Sequence, residues 1–456
     1  MLRLLATAAL ALPGSMLQAQ GWVDRTPTNP LQSPSNRVFP AMCWDAANGY
    51  VLLYGGFPGF GGAPNETWRW NGTAWTRQLT TGPTYWSSQP SSVAMTFHPP
   101  ANQVVMVQDG STFLWTGTDW LLHPAFLGPT GQGAPCHVAL AHDPVRNQTV
   151  CFLGARFNSG IQAAMQTYVW DGFGWSPRPT AVVPMFYENP TLAWDPAAGR
   201  LLLGVNGGGN AAFYEWTGTN WQQRLPAGAP TAAGVLATDT AQQKLVMFDG
   251  VMNFQPNHTW TVANGVMQQI ATPVEPSRRW AAAMAYDPVR QRLVLFGGSA
   301  STINPYAFAL GDTWEFQLPP GASFTTYGAG CLGSRGVPTI APSFGSLPRV
   351  GQTFSVAVTN LALQAWTFMF LGTSDTSYGP LTLPLSLGFI GAPGCSLLAS
   401  GDDLGLVTNV LGTGLWQWPV PNAPGFSFYT QAFSFDAPAN PLGITTSNAG
   451  HGVIGF

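Results

Sequence analysis

Met284-Ala285-Tyr286-Asp287-Pro288, then Leu293-Val294-Leu295-Phe296-Gly297-Gly298, then Thr313-Trp314-Glu315-Phe316: these three stretches decide the fold. The first reads as an apolar strand stopped by Asp-Pro, a pair that favours a turn and cannot extend a sheet ladder. The second reads as a strand ending in a Gly pair, and the third as an aromatic strand after a longer loop. Near the start of the chain the same order returns as Met42-Cys43-Trp44-Asp45, Val51-Leu52-Leu53-Tyr54-Gly55-Gly56 and Thr67-Trp68-Arg69-Trp70. Weaker copies carry Phe97-His98-Pro99, His142-Asp143-Pro144, Trp194-Asp195-Pro196 and Thr238-Asp239, which sets a period of about 50 residues and six copies.

The third stretch usually runs through a Gly-bearing turn into a further strand that opens on Trp. Examples are Asn71-Gly72 before Trp75, Thr116-Gly117 before Trp120, Asp171-Gly172 before Trp175 and Thr217-Gly218 before Trp221. Each copy therefore predicts four short antiparallel strands, a to d, and four-stranded sheets repeated radially are propeller blades. Trp68, Trp115, Trp170, Trp216, Trp260 and Trp314 read as one series at the blade period, expected to hold blade to blade. The sixth copy stops after Phe316 without a fourth strand. Gly21-Trp22-Val23-Asp24-Arg25 matches Ala74-Trp75-Thr76-Arg77, so the N-terminal segment is expected to complete the last blade and close the ring.

An a strand closing on Asp-Pro, a b strand ending in Gly-Gly and a c strand with Thr-Trp resemble the kelch repeats of galactose-oxidase-like propellers. The resemblance covers residues 21 to about 318 and is strongest in the first and sixth copies. In the second and fifth, Asp109-Gly110 and Asp249-Gly250 stand in place of the Gly pair. The fold expected is all-β: a six-bladed kelch-type β-propeller over 20–318, closed by its N-terminal strand, then a small antiparallel β-sandwich over 319–456.

Composition agrees with that class. The 456 residues include 53 Gly, 40 Pro and 12% aromatics, while only 8% are charged and lysine is almost absent. A net charge of −3 gives no basic footprint for nucleic acid. Residues 1–19 read as a signal peptide, with Arg3 before an apolar run from Leu4 to Leu12 and a small residue at Ala19. No later stretch approaches the roughly 18 apolar residues of a membrane helix. A secreted, cell-surface or periplasmic protein is expected.

Strand order puts the long b-to-c and d-to-a loops on one face. These loops carry Trp86, Tyr187, Glu188, Trp280 and Tyr306, together with Arg37 and Arg279 at equivalent places near the shaft mouth. Aromatic rings beside polar groups suit a glycan or an extracellular protein, and two adjacent guanidinium groups suit a carboxylate or sulfate. The other reading of such arginines is internal, with the side chains bonded to backbone carbonyls. The resemblance also raises copper oxidases, whose sites need paired His, Tyr ligands and a Cys-linked Tyr. The six His are scattered here without metal-ligand spacing, so no cofactor, metal or catalytic set is expected. A non-catalytic recognition protein is the first reading, a carbohydrate-active enzyme at the shaft mouth the second, and an architectural cell-envelope protein the third.

Beyond Phe316, Gln317-Leu318-Pro319-Pro320-Gly321 reads as a linker, after which alternating segments such as Thr353 to Val358 and Phe426 to Tyr429 predict further strands. Tyr327-Gly328-Ala329-Gly330-Cys331 and Gly391-Ala392-Pro393-Gly394-Cys395 resemble the C-terminal extension of exported proteins from planctomycete-type bacteria. Cys331 and Cys395, alone in this part and each after a turn-like Gly, are expected to form a disulfide. Cys43 and Cys151 occupy apolar strand positions, and simple hairpin register does not set Cys136 opposite Cys151.

Overall fold

The computed structural model describes residues 21–58, 65–83, 93–126, 136–155, 165–185, 188–207, 210–224, 226–249, 258–263, 265–270, 272, 274–301 and 307–455. Among these, regular structure is strand apart from three short 3-10 turns. The chain divides into two compact units, one up to Leu318 and one from Pro319.

The first unit is a six-bladed β-propeller. Six four-stranded antiparallel sheets follow one another, from Ala41–Asp45, Tyr50–Tyr54, Thr67–Trp70 and Trp75–Gln78 in blade one to Ala283–Asp287, Arg292–Phe296 and Thr313–Phe316 in blade six. Each innermost strand packs against those of the blades on either side, so the ring closes. As expected, Trp22–Asp24 is the fourth strand of blade six, pairing Trp22 with Phe316, Val23 with Glu315 and Asp24 with Trp314. The first sheet is thereby tied to the last by the backbone.

The recurring Asp is a turn device. Asp45 Oδ1 accepts from the N–H groups of Ala47 and Asn48, and Asp143, Asp195, Asp239 and Asp287 do the same two and three residues on. These Asx turns fix the a-to-b connections. Blade two has His98 at this position and turns instead through a 3-10 segment, Pro99–Ala101. The Gly of the c-to-d turns answers a second demand. Gly72 has φ +102°, and a Cβ there would lie 2.7 Å from Arg290 Nη1, which reaches over from blade six. The tight-turn face is thus stitched by side chains of one blade lying on the turn of the next.

The Trp residues separate into two positions, which corrects the single series expected from the sequence. Trp70, Trp115, Trp170 and Trp216 pair across the c-to-d turn with Trp75, Trp120, Trp175 and Trp221. Trp68, Trp260 and Trp314 lie nearer the start of their c strands and each donates to a carboxylate of its own blade. The two positions differ by two residues and so share a strand face, which is why a count of aromatics per repeat merges them. Cores between blades form from both, as where Met42, Leu53, Trp68, Trp70 and Trp75 of blade one meet Ala285, Val294 and Phe296 of blade six.

In the second unit, eight antiparallel strands form one sheet in the order 323–327, 444–453, 427–435, 367–372, 403–410, 413–419, 353–359 and 339–342. The sheet curls until its ends meet, with Asn448 Oδ1 accepting from Ile340 N–H at 2.7 Å. The two layers of the sandwich are therefore halves of a single sheet. Phe354, Val356, Met369, Trp416 and Phe428 fill the interior. Cys331 and Cys395 form the expected disulfide, with Cα atoms 4.7 Å apart and Leu383, Leu387 and Leu397 packed around it. In the propeller, Cys136 pairs in register with Ala155 and Cys151 with Leu140, and Cys43 is a buried thiol whose pKa burial pushes up.

Candidate functional site

The long-loop face is best defined where blade six meets blade one. Arg37 and Arg279 precede the a strands of these blades, and both are enclosed, with 0% and 1% of their surface exposed. Each guanidinium makes the same set of bonds. Arg37 donates to Ser35 O, Ser35 Oγ, Gly55 O and Glu66 Oε2, and Arg279 to Ser277 O, Ser277 Oγ, Gly297 O and both oxygens of Asp312. Asp312 is held in a fork at 2.6 Å to each oxygen. The expectation that these two groups meet an external anion is corrected: internal carboxylates and carbonyls surround them.

This arrangement explains the Gly pair. The first Gly of each, Gly55 and Gly297, turns its carbonyl to the guanidinium with φ of +65° and +68°. A Cβ at Gly56 would lie 3.1 Å from Arg37 Cδ. Only the two blades that carry the Arg keep the full Gly-Gly. The c-strand Trp completes each group, Trp68 Nε1 donating to Glu66 Oε2 at 3.1 Å and Trp314 Nε1 to Asp312 Oδ2 at 2.6 Å. Burial opposes ionisation of both acids, but the Arg and Trp donors outweigh it and hold each carboxyl below the usual range.

Blade five keeps the acid and the Trp of this site. Asp249, from the Asp-Gly that stands in place of the Gly pair, accepts from Trp260 Nε1 at 3.0 Å and from His258 N–H at 2.6 Å. The residue aligned with Arg37 and Arg279 is Thr231. Burial raises the Asp249 pKa to about 6 despite those two donors. His258 Nδ1 lies 3.7 Å from Glu275 on the same face.

Two partly exposed aromatic rings meet at the junction. Trp280 is half-buried, donates Nε1–H to Ser301 O at 2.8 Å, and meets Phe39 edge to face with ring centres 5.4 Å apart. Phe39 in turn lies 6.4 Å from the His137 ring of blade three, so aromatic groups of three blades converge toward the shaft. Phe39 has φ +57° and Ala281, at the equivalent place in blade six, φ +55°. A bulky residue in the left-handed region costs energy, and here Phe39 N–H is fixed by a 2.9 Å bond to Ala281 O. Phe39 was not legible as a site residue in the sequence. Its signal was its place two residues after the first Arg, where the sixth repeat has Ala281.

Trp86, Tyr187 and Tyr306 lie outside the described residues, as does the side chain of Glu188. Of the titratable groups elsewhere, His98 and His142 come together between blades two and three, ring centres 5.7 Å apart, although 44 positions separate them in the chain. Among the described residues no group of three or more His, Cys, Asp or Glu is placed to hold a metal ion.

No known family profile and no curated protein matches this sequence. Among solved structures the chain is similar to a protein of unknown function from Bacteroides thetaiotaomicron, at 9% identity over 65% of this chain and 76% of that one, with a TM-score of 0.43. It is similar to a gluconolactonase from Xanthomonas campestris at 13% identity, over 67% and 93% of the two chains, TM-score 0.40. It is also similar to the SapL1 lectin in complex with alpha methyl fucoside, at 16% identity over 58% and 90%, TM-score 0.37.

Proposed function

We propose that this chain is an exported, non-catalytic recognition protein with a kelch-type propeller, which takes up a glycan on the long-loop face at the junction of blades six and one. The Phe39 and Trp280 pair carries this reading. Trp280 is partly exposed with its N–H already engaged by Ser301, and an aromatic ring is the kind of surface on which the C–H side of a sugar stacks. The strained loop holding Phe39 against it presents both rings already ordered, which lowers the entropy cost of binding. The carboxylates of the same loops, Glu66 and Asp312, are locked by Arg and Trp donors, which favours binding over acid–base chemistry.

Export is supported by the signal-peptide pattern of residues 1–19 and by the Cys331–Cys395 disulfide, which suits an oxidising compartment. No helix of the described residues is long and apolar enough to cross a membrane. The test is a glycan array on the purified protein beside Trp280→Ala and Phe39→Ala. Selective binding that disappears in both variants, with thermal unfolding unchanged, is the expected result. Binding that survives both substitutions, or no glycan bound at all, would overturn the proposal.

A further inference from the structure

A Glu flanked by two Arg occurs twice in the ring. In blade four Glu215 lies across from Leu202 and Gln222, and Arg200 and Arg224 stand two residues from these, on the same face. One oxygen of Glu215, Oε2, takes Arg200 Nη1 at 3.0 Å and Arg224 Nε at 3.4 Å. The same register in blade six sets Glu315 between Val294 and Val23, with Arg292 and Arg25 in the corresponding places. Blade six then adds a third guanidinium. Arg290 stands in the a-to-b turn, where blade four has Ala198.

The added group takes the acid that the other two would share. Arg290 bonds Glu315 Oε1 through Nη1 and Asp287 Oδ2 through Nε, and Trp70 of blade one donates to the same Glu315 oxygen at 2.8 Å. Arg25 is left 3.7 Å from Glu315 Oε2. Arg292 Nη1 and Arg290 Nη2 are buried atoms with no hydrogen-bond partner among the described residues. Burial lowers the Arg292 pKa, and Glu315 opposes this while Arg25 and Arg290 add to it. Three cations here face two acids, Glu315 and Asp287, and an enclosed guanidinium N–H without an acceptor costs free energy that one more anion recovers. The way in is at Arg25, whose side chain is 50% exposed.

We propose that a small oxyanion, of the size of sulfate or phosphate, binds at Arg25, Arg290 and Arg292 and clamps the closing strand of the ring to blade six. Such an ion accepts charge-assisted bonds from several N–H groups at once, and the guanidinium fork is the group suited to it. Arg25 directly follows the N-terminal strand Trp22–Asp24, and Arg292 opens the b strand of the same blade, so one ion joins the two ends of the chain that meet there. The site lies on the face of blade six turned to blade one, and it does not depend on the glycan reading.

The test is isothermal titration of the whole chain with sodium sulfate and, separately, sodium phosphate, in chloride buffer of constant ionic strength. Arg292→Met and Arg25→Met are the site variants, and Arg200→Met of blade four is the control. Saturable one-to-one binding of at least one ion is expected, with a dissociation constant below about 1 mM. Either site variant should weaken it by about tenfold or more, the worth of a lost bond to a charged group, and the control should leave it unchanged. Amide exchange in Trp22–Asp24 should slow when the ion is bound, which an ion held elsewhere does not produce. Arg25 is half exposed, so Arg25→Met carries the test if Arg292→Met does not fold. No saturable binding of either ion, equal binding by the parent and the site variants, or exchange in Trp22–Asp24 untouched by the ion would overturn the proposal.

Discussion

Trp22 donates its indole N–H to Thr259 Oγ1 at 2.7 Å across 237 positions of sequence, joining the strand that closes blade six to the c strand of blade five. The same bond recurs around the ring. Trp75 reaches Thr313, Trp120 reaches Thr67, Trp175 reaches Thr112 and Trp221 reaches Thr167, each from the d strand of one blade to the c strand of the blade before. At the sixth interface both partners change together: Met267 takes the Trp position and Phe213 the Thr position, and the two share one apolar cluster. Replacing donor and acceptor by apolar groups is tolerated, whereas removing one of them leaves a buried polar atom alone.

Thr259→Val should therefore cost about 1–3 kcal/mol, because the Trp22 N–H loses its acceptor in a buried setting. Trp22→Phe in the Thr259→Val background should recover part of that loss. Urea unfolding of the two variants measures it. Equal stability of Thr259→Val and the parent would show that the bond does not help close the ring.

Arg279→Met tests the internal reading of the loop-face arginines. It leaves Asp312, partly buried, with Trp314 as a side-chain donor, and breaking the pair should cost up to about 3 kcal/mol near neutral pH, at or below the low end for fully buried pairs because a quarter of the acid's side chain is exposed. The pH dependence gives the sign. In the parent the Asp312 pKa is lowered, so its contribution is present above pH 4 and lost as pH falls through the folded value. Without Arg279 burial dominates and raises that pKa, so acidification relieves the variant. The stability gap between the two proteins should narrow from pH 7 to pH 4, and a constant gap would sink this account.

Blade five offers the converse experiment. Asp249 is raised to about 6, so its folded form favours the proton, and this carboxyl contributes stability that is complete below about pH 4 and lost as pH rises through 6. Thr231→Arg places a guanidinium at the position held by Arg37 and Arg279 in their blades. Pairing with Asp249 should reverse the dependence and raise the unfolding temperature at pH 7 by a few degrees. Differential scanning calorimetry at pH 5 and pH 7 decides it, and a lower unfolding temperature at pH 7 would mean that the pocket does not admit the group.

How far these features could be read from sequence depends on whether they are local. The four-strand repeat was legible because Asp and Gly act within a few residues of where they stand, Asp45 capping its own turn and Gly72 making its own positive φ. Ring closure was legible because the segment at Trp22 copies the one at Trp75. The Trp-to-Thr bonds were not, since each links residues 53 to 238 positions apart. Arg37 and Arg279 were found, but their direction was hidden: an Arg entering a loop face and an Arg turned inward under it have the same neighbours in sequence. The strand at 367–372 was obscured for a different reason, because Phe368, Met369 and Phe370 are apolar in succession and periodicity cannot say which side faces the interior.

Acid should weaken the junction of blades two and three first. His98 is fully buried where other blades have the turn Asp, with Nδ1 3.0 Å from Thr149 Oγ1 and Nε2 without a partner. His142, the residue before Asp143, packs its ring against it and also keeps a buried nitrogen, Nδ1, unbonded. Burial lowers both pKa values, and for His142 the neighbouring His98 adds to the effect and brings it to about 4, while Asp171 beside His98 and Asp143 beside His142 oppose it only in part. A base whose folded pKa lies below its unfolded value of 6.5 leaves the unfolded chain holding more protons between the two, so stability is full above pH 6.5 and falls toward pH 4. After allowance for the solvent contact of the His142 ring, the loss is about 2 kcal/mol. His142→Gln should flatten the curve between pH 6.5 and pH 4 while leaving stability at pH 7.5 within about 1 kcal/mol of the parent. Chemical denaturation at stepped pH measures both, and a variant as acid-sensitive as the parent would place the weak point elsewhere.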